Sequence, residues 1–140
     1  MNMALSDTTP STFVVEKDSD VVTVRQLARN MAMQLEFSRP DQALVSTAVS
    51  ELARNIVRYA GAGEIELTPV ASERRVGLRI VSRDNGPGIP DIEAAMSDGY
   101  STGNSLGLGL PGTRRIVDEF NITSNEGEGV VVTAVKWRFV

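Results

Sequence analysis

The stretch from Asp84 to Gly112 constrains this chain most, because it concentrates glycine in the middle of an otherwise ordinary apolar pattern. A glycine-rich segment of that length inside a compact domain calls for a functional explanation. It contains two ordered pieces, Asp84-Asn85-Gly86-Pro87-Gly88 and Gly107-Leu108-Gly109-Leu110-Pro111-Gly112. Upstream, Glu51-Leu52-Ala53-Arg54-Asn55 sets a carboxylate and an amide four residues apart.

The chain has 140 residues, 41% of them hydrophobic, which suits one domain with a real core. Acidic side chains outnumber basic ones, 18 to 14, so the basic excess that phosphate-backbone recognition requires is missing and nucleic acid is not expected as a partner. The lack of cysteine excludes disulfides and thiolate chemistry and points to a reducing cytoplasm. The lack of histidine removes a Ser-His-Asp triad, a zinc-binding HExxH, the His-Arg-Asp loop of ordinary protein kinases and any histidine phosphoacceptor. Met1 to Ser11 is polar, without the basic and apolar regions of a signal peptide, and reads as a flexible leader of residues 1–11 before a single domain of residues 12–140. No segment reaches membrane-spanning length, so no membrane is expected.

Thr12 to Glu16 reads as a first strand. Asp20 can cap a helix whose apolar positions Val24, Leu27, Ala28, Met31 and Leu35 recur at helical spacing. Ser38-Arg39-Pro40-Asp41 resembles a capping box with proline in the first turn, opening a second helix that faces inward with Leu44, Val45, Val49, Leu52, Ile56 and Tyr59. Gly61-Ala62-Gly63 ends it. Glu64 to Val70 and Arg75 to Val81 form an antiparallel hairpin. A short helix near Ile92 to Met96, a helix from Gly112 to Phe120, and strands near Asn121 to Ser124 and Val130 to Phe139 complete the series. The β-α-α-β-β-α-β-β order predicts an α+β fold, a two-layer sandwich with helices on one face of a mostly antiparallel, mixed sheet.

On that frame Glu51 and Asn55 share one face of the second helix, and Arg58 continues it. Taken alone, they read as a solvated surface. Asp84 follows a strand end, where its carboxylate can accept a hydrogen bond from an exocyclic amino group, while Gly86 and Gly88 let backbone approach a flat base. Taken alone, this is a tight turn. Gly107 to Gly112 matches GxGxxG, but no strand precedes it within a βαβ unit, so the dinucleotide reading fails. The GxxxxGK[ST] phosphate loop is also missing. The glycines do open a helix, whose free amides and positive end suit phosphates.

With an ExxxN helix, a DxGxG turn and a later glycine box in that order, the chain resembles the Bergerat-fold (GHKL) ATPases: gyrase, the Hsp90 chaperones, sensor histidine kinases and the mismatch-repair protein MutL. The segments Ser50 to Ile56, Asp98 to Thr102 and Gly109 to Gly112 make it similar to the small bacterial serine/threonine kinases of the anti-sigma-factor group, and in particular to the switch kinase of the stressosome pathway. The likeness runs from about Phe13 to Trp137.

The resemblance implies an ATP-dependent, magnesium-dependent protein serine/threonine kinase. Glu51 would be the general base and Asn55 the Mg²⁺ ligand within the ATP site. Asp84 would recognise adenine, with Gly86 and Gly88 shaping the pocket. Ile89 to Leu106, including Ser101 and Thr102, would be the lid, and Gly107, Leu108 and Gly109 would give amides to the phosphates beside Leu110. Relatives carry a Gly-Thr pair before the last strand; here it is Gly129-Val130, and the hydroxyl contact is absent or supplied by Thr133. The lid has no Lys or Arg, so Arg54, Arg58, Arg114, Arg115 or a partner would neutralise the γ-phosphate. Implied partners are a STAS-domain antagonist or scaffold and a downstream phosphatase in a stress-response switch. The alternative is a nucleotide-gated anti-sigma factor that binds a sigma subunit without phosphotransfer.

Overall fold

The computed structural model describes residues 8–88, 96, 109–125 and 127–139. Strand β1 (Ser11–Val15) is followed by helices α1 (Asp18–Gln34) and α2 (Arg39–Asn55), which runs on into one π-helical turn at Ile56–Ala60. Then come β2 (Gly63–Ser72), β3 (Arg75–Asp84), α3 (Gly109–Ile116), β4 (Glu119–Asn125) and β5 (Gly129–Phe139). Ser11, expected in the leader, is the first residue of β1. The short helix expected near Ile92 to Met96 lies outside the described residues, apart from Met96 in a turn.

The strands form one sheet in the order β1-β2-β3-β5-β4, and every neighbouring pair is antiparallel rather than mixed. Its alternation assigns the two faces. Ile65 and Leu67, Leu78 and Ile80, and Val132 and Ala134 turn to the helices and join one buried cluster with Val24, Ala28, Val45, Val49, Leu52 and Ile56. The register places Ile80 opposite Leu67 on one side and Ala134 on the other, so three strands present one apolar row. On the opposite face Arg83 pairs with Glu66 at 3.0 Å, and Arg75 stacks 4.0 Å above the Trp137 ring.

Local chemistry explains the helix ends. Asp20 does not precede its helix as expected but sits in the first turn, where Oδ2 accepts the N–H groups of Glu16 and Lys17. Ser38 Oγ accepts the Asp41 N–H at 3.2 Å, as the capping pattern predicts. Tyr59 departs from the inward stripe and is half exposed. The π-helical turn breaks the 3.6-residue period after Ile56, which is still buried, so the inward stripe does not continue to Tyr59. Helix α3 begins three residues earlier than expected and ends four earlier, the end because Glu119 and Phe120 pair with Val135 and Ala134 and extend β4 instead. No described helix is long and apolar enough to cross a membrane.

Candidate active site

Helix α2 carries Glu51 into the interior and leaves Asn55 half buried one turn later. Glu51 is only 5% exposed, and a carboxylate so buried must be paired. Arg54 Nη1 donates to Oε1 at 2.7 Å, and the Gly109 backbone N–H donates to Oε2 at 3.1 Å. Gly109 is the first residue of α3, so the carboxylate occupies the positive end of that helix. Thr113, fully buried, donates its hydroxyl proton to the Gly109 carbonyl at 2.8 Å and tightens the same turn. Both Glu51 oxygens are therefore held in a fixed orientation.

Asp84 closes β3 on the helix-facing side, in line with Ile80 and Ser82. Its Oδ1 accepts two backbone donors, Gly86 N–H at 2.9 Å and Val130 N–H at 3.2 Å. Among the described residues nothing donates to Oδ2. The loop after Asp84 is tied further by Gly127 N–H to the Pro87 carbonyl at 3.0 Å. Gly86 is closely packed, since a Cβ there would lie 2.7 Å from the Ala60 Cβ. Gly129 holds φ +88 against the Asp84 carbonyl, where any side chain would overlap the oxygen.

Thr133 is not part of this constellation. It lies opposite Val81 in the register, between Val132 and Ala134, so it points to the sheet face away from the helices and from Asp84. The Val130 N–H is the contact that reaches Asp84 from the Gly-Val pair. Arg58 is exposed in the π-helical turn after α2, 6.0 Å from the Tyr59 ring, and lines a groove with residues of α1 and α2. Leu110 is half buried and packs against the core. Gly88 adopts φ +83 at the end of the Asp84 loop. Ile89, Ser101, Thr102, Gly107 and Leu108 lie outside the described residues.

The donor chemistry fits ATP with Mg²⁺. Asn55 offers a hard amide oxygen with no protein partner among the described residues, and no described group of three His, Cys, Asp or Glu could hold a metal alone. A hard cation at Asn55 would therefore complete its shell with phosphate oxygens and water. Two features escaped sequence reasoning. The Arg54 pairing was legible as an i,i+3 ion pair, whereas the Gly109 and Val130 donors come from distant backbone and leave no local signal.

A buried, oriented carboxylate one turn before an amide, and a strand-end aspartate that organises a glycine turn, are the pattern of a nucleotide-binding ATPase-type site. This chain belongs to the family of histidine kinase-, DNA gyrase B- and HSP90-like ATPases, which it matches over residues 40–139. It is similar to the serine/threonine-protein kinase RsbT of Bacillus subtilis (strain 168), with 52% identity over 84% of this chain and 89% of that protein. It is also 25% identical to an anti-sigma F factor of Caldanaerobacter subterraneus subsp. tengcongensis, over 88% of this chain and 89% of that one. A solved structure of RsbU and RsbW domains from Mycobacterium tuberculosis shares the fold, with TM-score 0.62 and 19% identity, covering 95% of this chain and 33% of that one. A mycobacterial sensor histidine kinase, MprB, does so with TM-score 0.54 and 15% identity, covering 96% of this chain and 100% of that one.

Proposed function

We propose that this chain is a serine/threonine protein kinase that moves the γ-phosphoryl group of ATP to a hydroxyl of a STAS-domain regulatory protein in a stress-response partner switch. The observation that carries this reading is Glu51, buried and aimed by Arg54 and Gly109, one helical turn before Asn55. Glu51 would accept the proton of the acceptor hydroxyl as its oxygen bonds to the γ-phosphorus. The bond from that phosphorus to the β,γ-bridging oxygen breaks in the same displacement, and ADP leaves. Mg²⁺, when bound at Asn55, supplies charge neutralisation along the phosphates. Asp84 Oδ2 would take the adenine amino group, and Gly88 borders that pocket. Gly107 and Leu108 would offer amides to the phosphates, with Ile89, Ser101 and Thr102 in the covering lid.

ATP is a cytoplasmic co-substrate, so the reading places the chain in the cytoplasm, with the phosphorylated partner losing its fit and releasing the kinase toward a downstream phosphatase. The test is intact-mass spectrometry of a STAS-domain protein after incubation with this chain and Mg-ATP. A phosphate adduct, absent with Glu51→Gln, is expected. ATP binding without an adduct would instead favour nucleotide-gated sequestration of a sigma subunit.

A further inference from the structure

Between α1 and α2 runs an open groove of about 680 Å³ with an unusual charge distribution. Its floor is made of small side chains of α2, Ala43, Ser46, Thr47 and Ser50, with Glu51 at one end. Its walls carry four arginines: Arg25 and Arg29 from one face of α1, Arg54 from the end of α2 and Arg58 from the π-helical turn after it. Arg25 and Arg29 are spaced i,i+4 on α1, where like charges repel. Four guanidiniums face a single carboxylate in a chain whose net charge is -4. Among the described residues, Arg25, Arg29 and Arg58 have no carboxylate partner at all. Arg54 gives Nη1 to Glu51 and stays 40% exposed, leaving its other donors for whatever enters the groove.

We propose that this groove docks an acidic segment of the acceptor protein, its carboxylates paired with Arg25, Arg29, Arg54 and Arg58, and so delivers the acceptor hydroxyl to Glu51. The inference rests on the kinase reading above for the identity of what is delivered. The charge pattern selects the occupant. The small floor residues leave room for side chains, and planar guanidiniums match carboxylates in paired hydrogen bonds. A docked segment relieves the repulsion between Arg25 and Arg29. It also places a partner beside the base without displacing it, because Arg54 touches the groove and Glu51 together. Arg25 and Arg29 are recognition residues and touch nothing that reacts. Nucleic acid, the other polyanion that arginines hold, fits less well, because the acidic balance of the chain repels an extended phosphate backbone.

The experiment uses two synthetic peptides, each with one serine, flanked in one by glutamates and in the other by glutamines. Fluorescence anisotropy reads binding, and intact mass reads phosphorylation with Mg-ATP. The glutamate peptide is expected to bind at least about tenfold more tightly, with an affinity that falls steeply with salt. Arg25→Glu with Arg29→Glu is expected to abolish that preference while ATP affinity stays unchanged. Equal binding of both peptides, or an undiminished preference in the double variant, would overturn the groove assignment and leave the kinase reading intact. Tighter binding of a single-stranded DNA oligonucleotide than of the glutamate peptide at the same salt would also overturn it. Selective, arginine-dependent binding with no phosphate on any peptide or on a STAS-domain protein would support the groove and reject the kinase.

Discussion

Glu51 Oε2 accepts the backbone N–H of Gly109 at 3.1 Å, joining the middle of α2 to the start of α3 across 58 residues of sequence. The contact ties the candidate base to the helix end expected to meet phosphates. Gly109 was expected to give its amide to the nucleotide; in this structure the amide serves Glu51. A phosphate that claimed the same N–H would displace a carboxylate oxygen and so couple the proposed base to the nucleotide at one donor.

Replacing Glu51 by Gln keeps the side-chain shape and an oxygen for Gly109 but removes the proton acceptor. Phosphotransfer is expected to fall by about 10²- to 10⁴-fold, the range typical of general-base loss. ATP binding should persist, since the nucleotide gains nothing from a negative charge near its phosphates. Single-turnover phosphorylation and calorimetric ATP titration separate the two effects. Loss of ATP binding equal to the loss of transfer would remove Glu51 from the base role.

In the proposed reading Asp84 gives one oxygen to the protein and the other to the adenine amino group. Oδ1 organises Gly86 and Val130, which an asparagine oxygen can still do, but the asparagine NH₂ then replaces Oδ2 and confronts the adenine amino group donor to donor. Asp84→Asn should therefore weaken ATP by about 1.5–3 kcal/mol while costing the fold little. Asp84→Ala should lose ATP and also lower the melting temperature, because two backbone N–H groups lose their acceptor. Differential scanning fluorimetry with and without ATP distinguishes the two variants.

Thr133 supplies the matching control. Its side chain lies on the sheet face opposite Asp84, so Thr133→Val is expected to leave ATP affinity within about twofold, as strand alternation requires. A larger loss in calorimetry would mean that the last strand reaches the pocket by another route.

The legible and the hidden features of this chain separate along one physical divide. Features set by neighbours in the chain were legible: the Ser38 cap, the apolar stripes of α1 and α2, and the hairpin of β2 and β3. The face shared by Glu51 and Asn55 comes from helical spacing alone, and so does their place beside the Leu52 stripe. Features set by distant contacts were not. Helix α3 begins at Gly109, whose amide is held by Glu51, and ends before Glu119 because β5 recruits the next residues. Tyr59 misled because a π-helical turn breaks the 3.6-residue period that its inward placement assumed. Thr133 was one of two alternatives for the pocket hydroxyl that the family pattern calls for, the other being its absence, and strand parity, countable only once the register is known, sends it to the other face.

Gly129 joins the fold to the site most directly. It combines φ +88 with a backbone approach to Asp84 so close that a Cβ would overlap the Asp84 carbonyl oxygen. That approach brings the Val130 N–H within 3.2 Å of Asp84 Oδ1, so the glycine fixes the orientation of the Asp84 carboxylate. Gly129→Ala must absorb backbone strain and must also push β5 away from the Asp84 turn, and about 2–4 kcal/mol of destabilisation is expected. Urea unfolding measures that cost. ATP affinity measured well below the unfolding transition should drop as well, because the shift unseats the Val130 donor and frees Asp84 to rotate. A variant that lost stability but bound ATP like the parent would show that Asp84 is oriented by Gly86 alone.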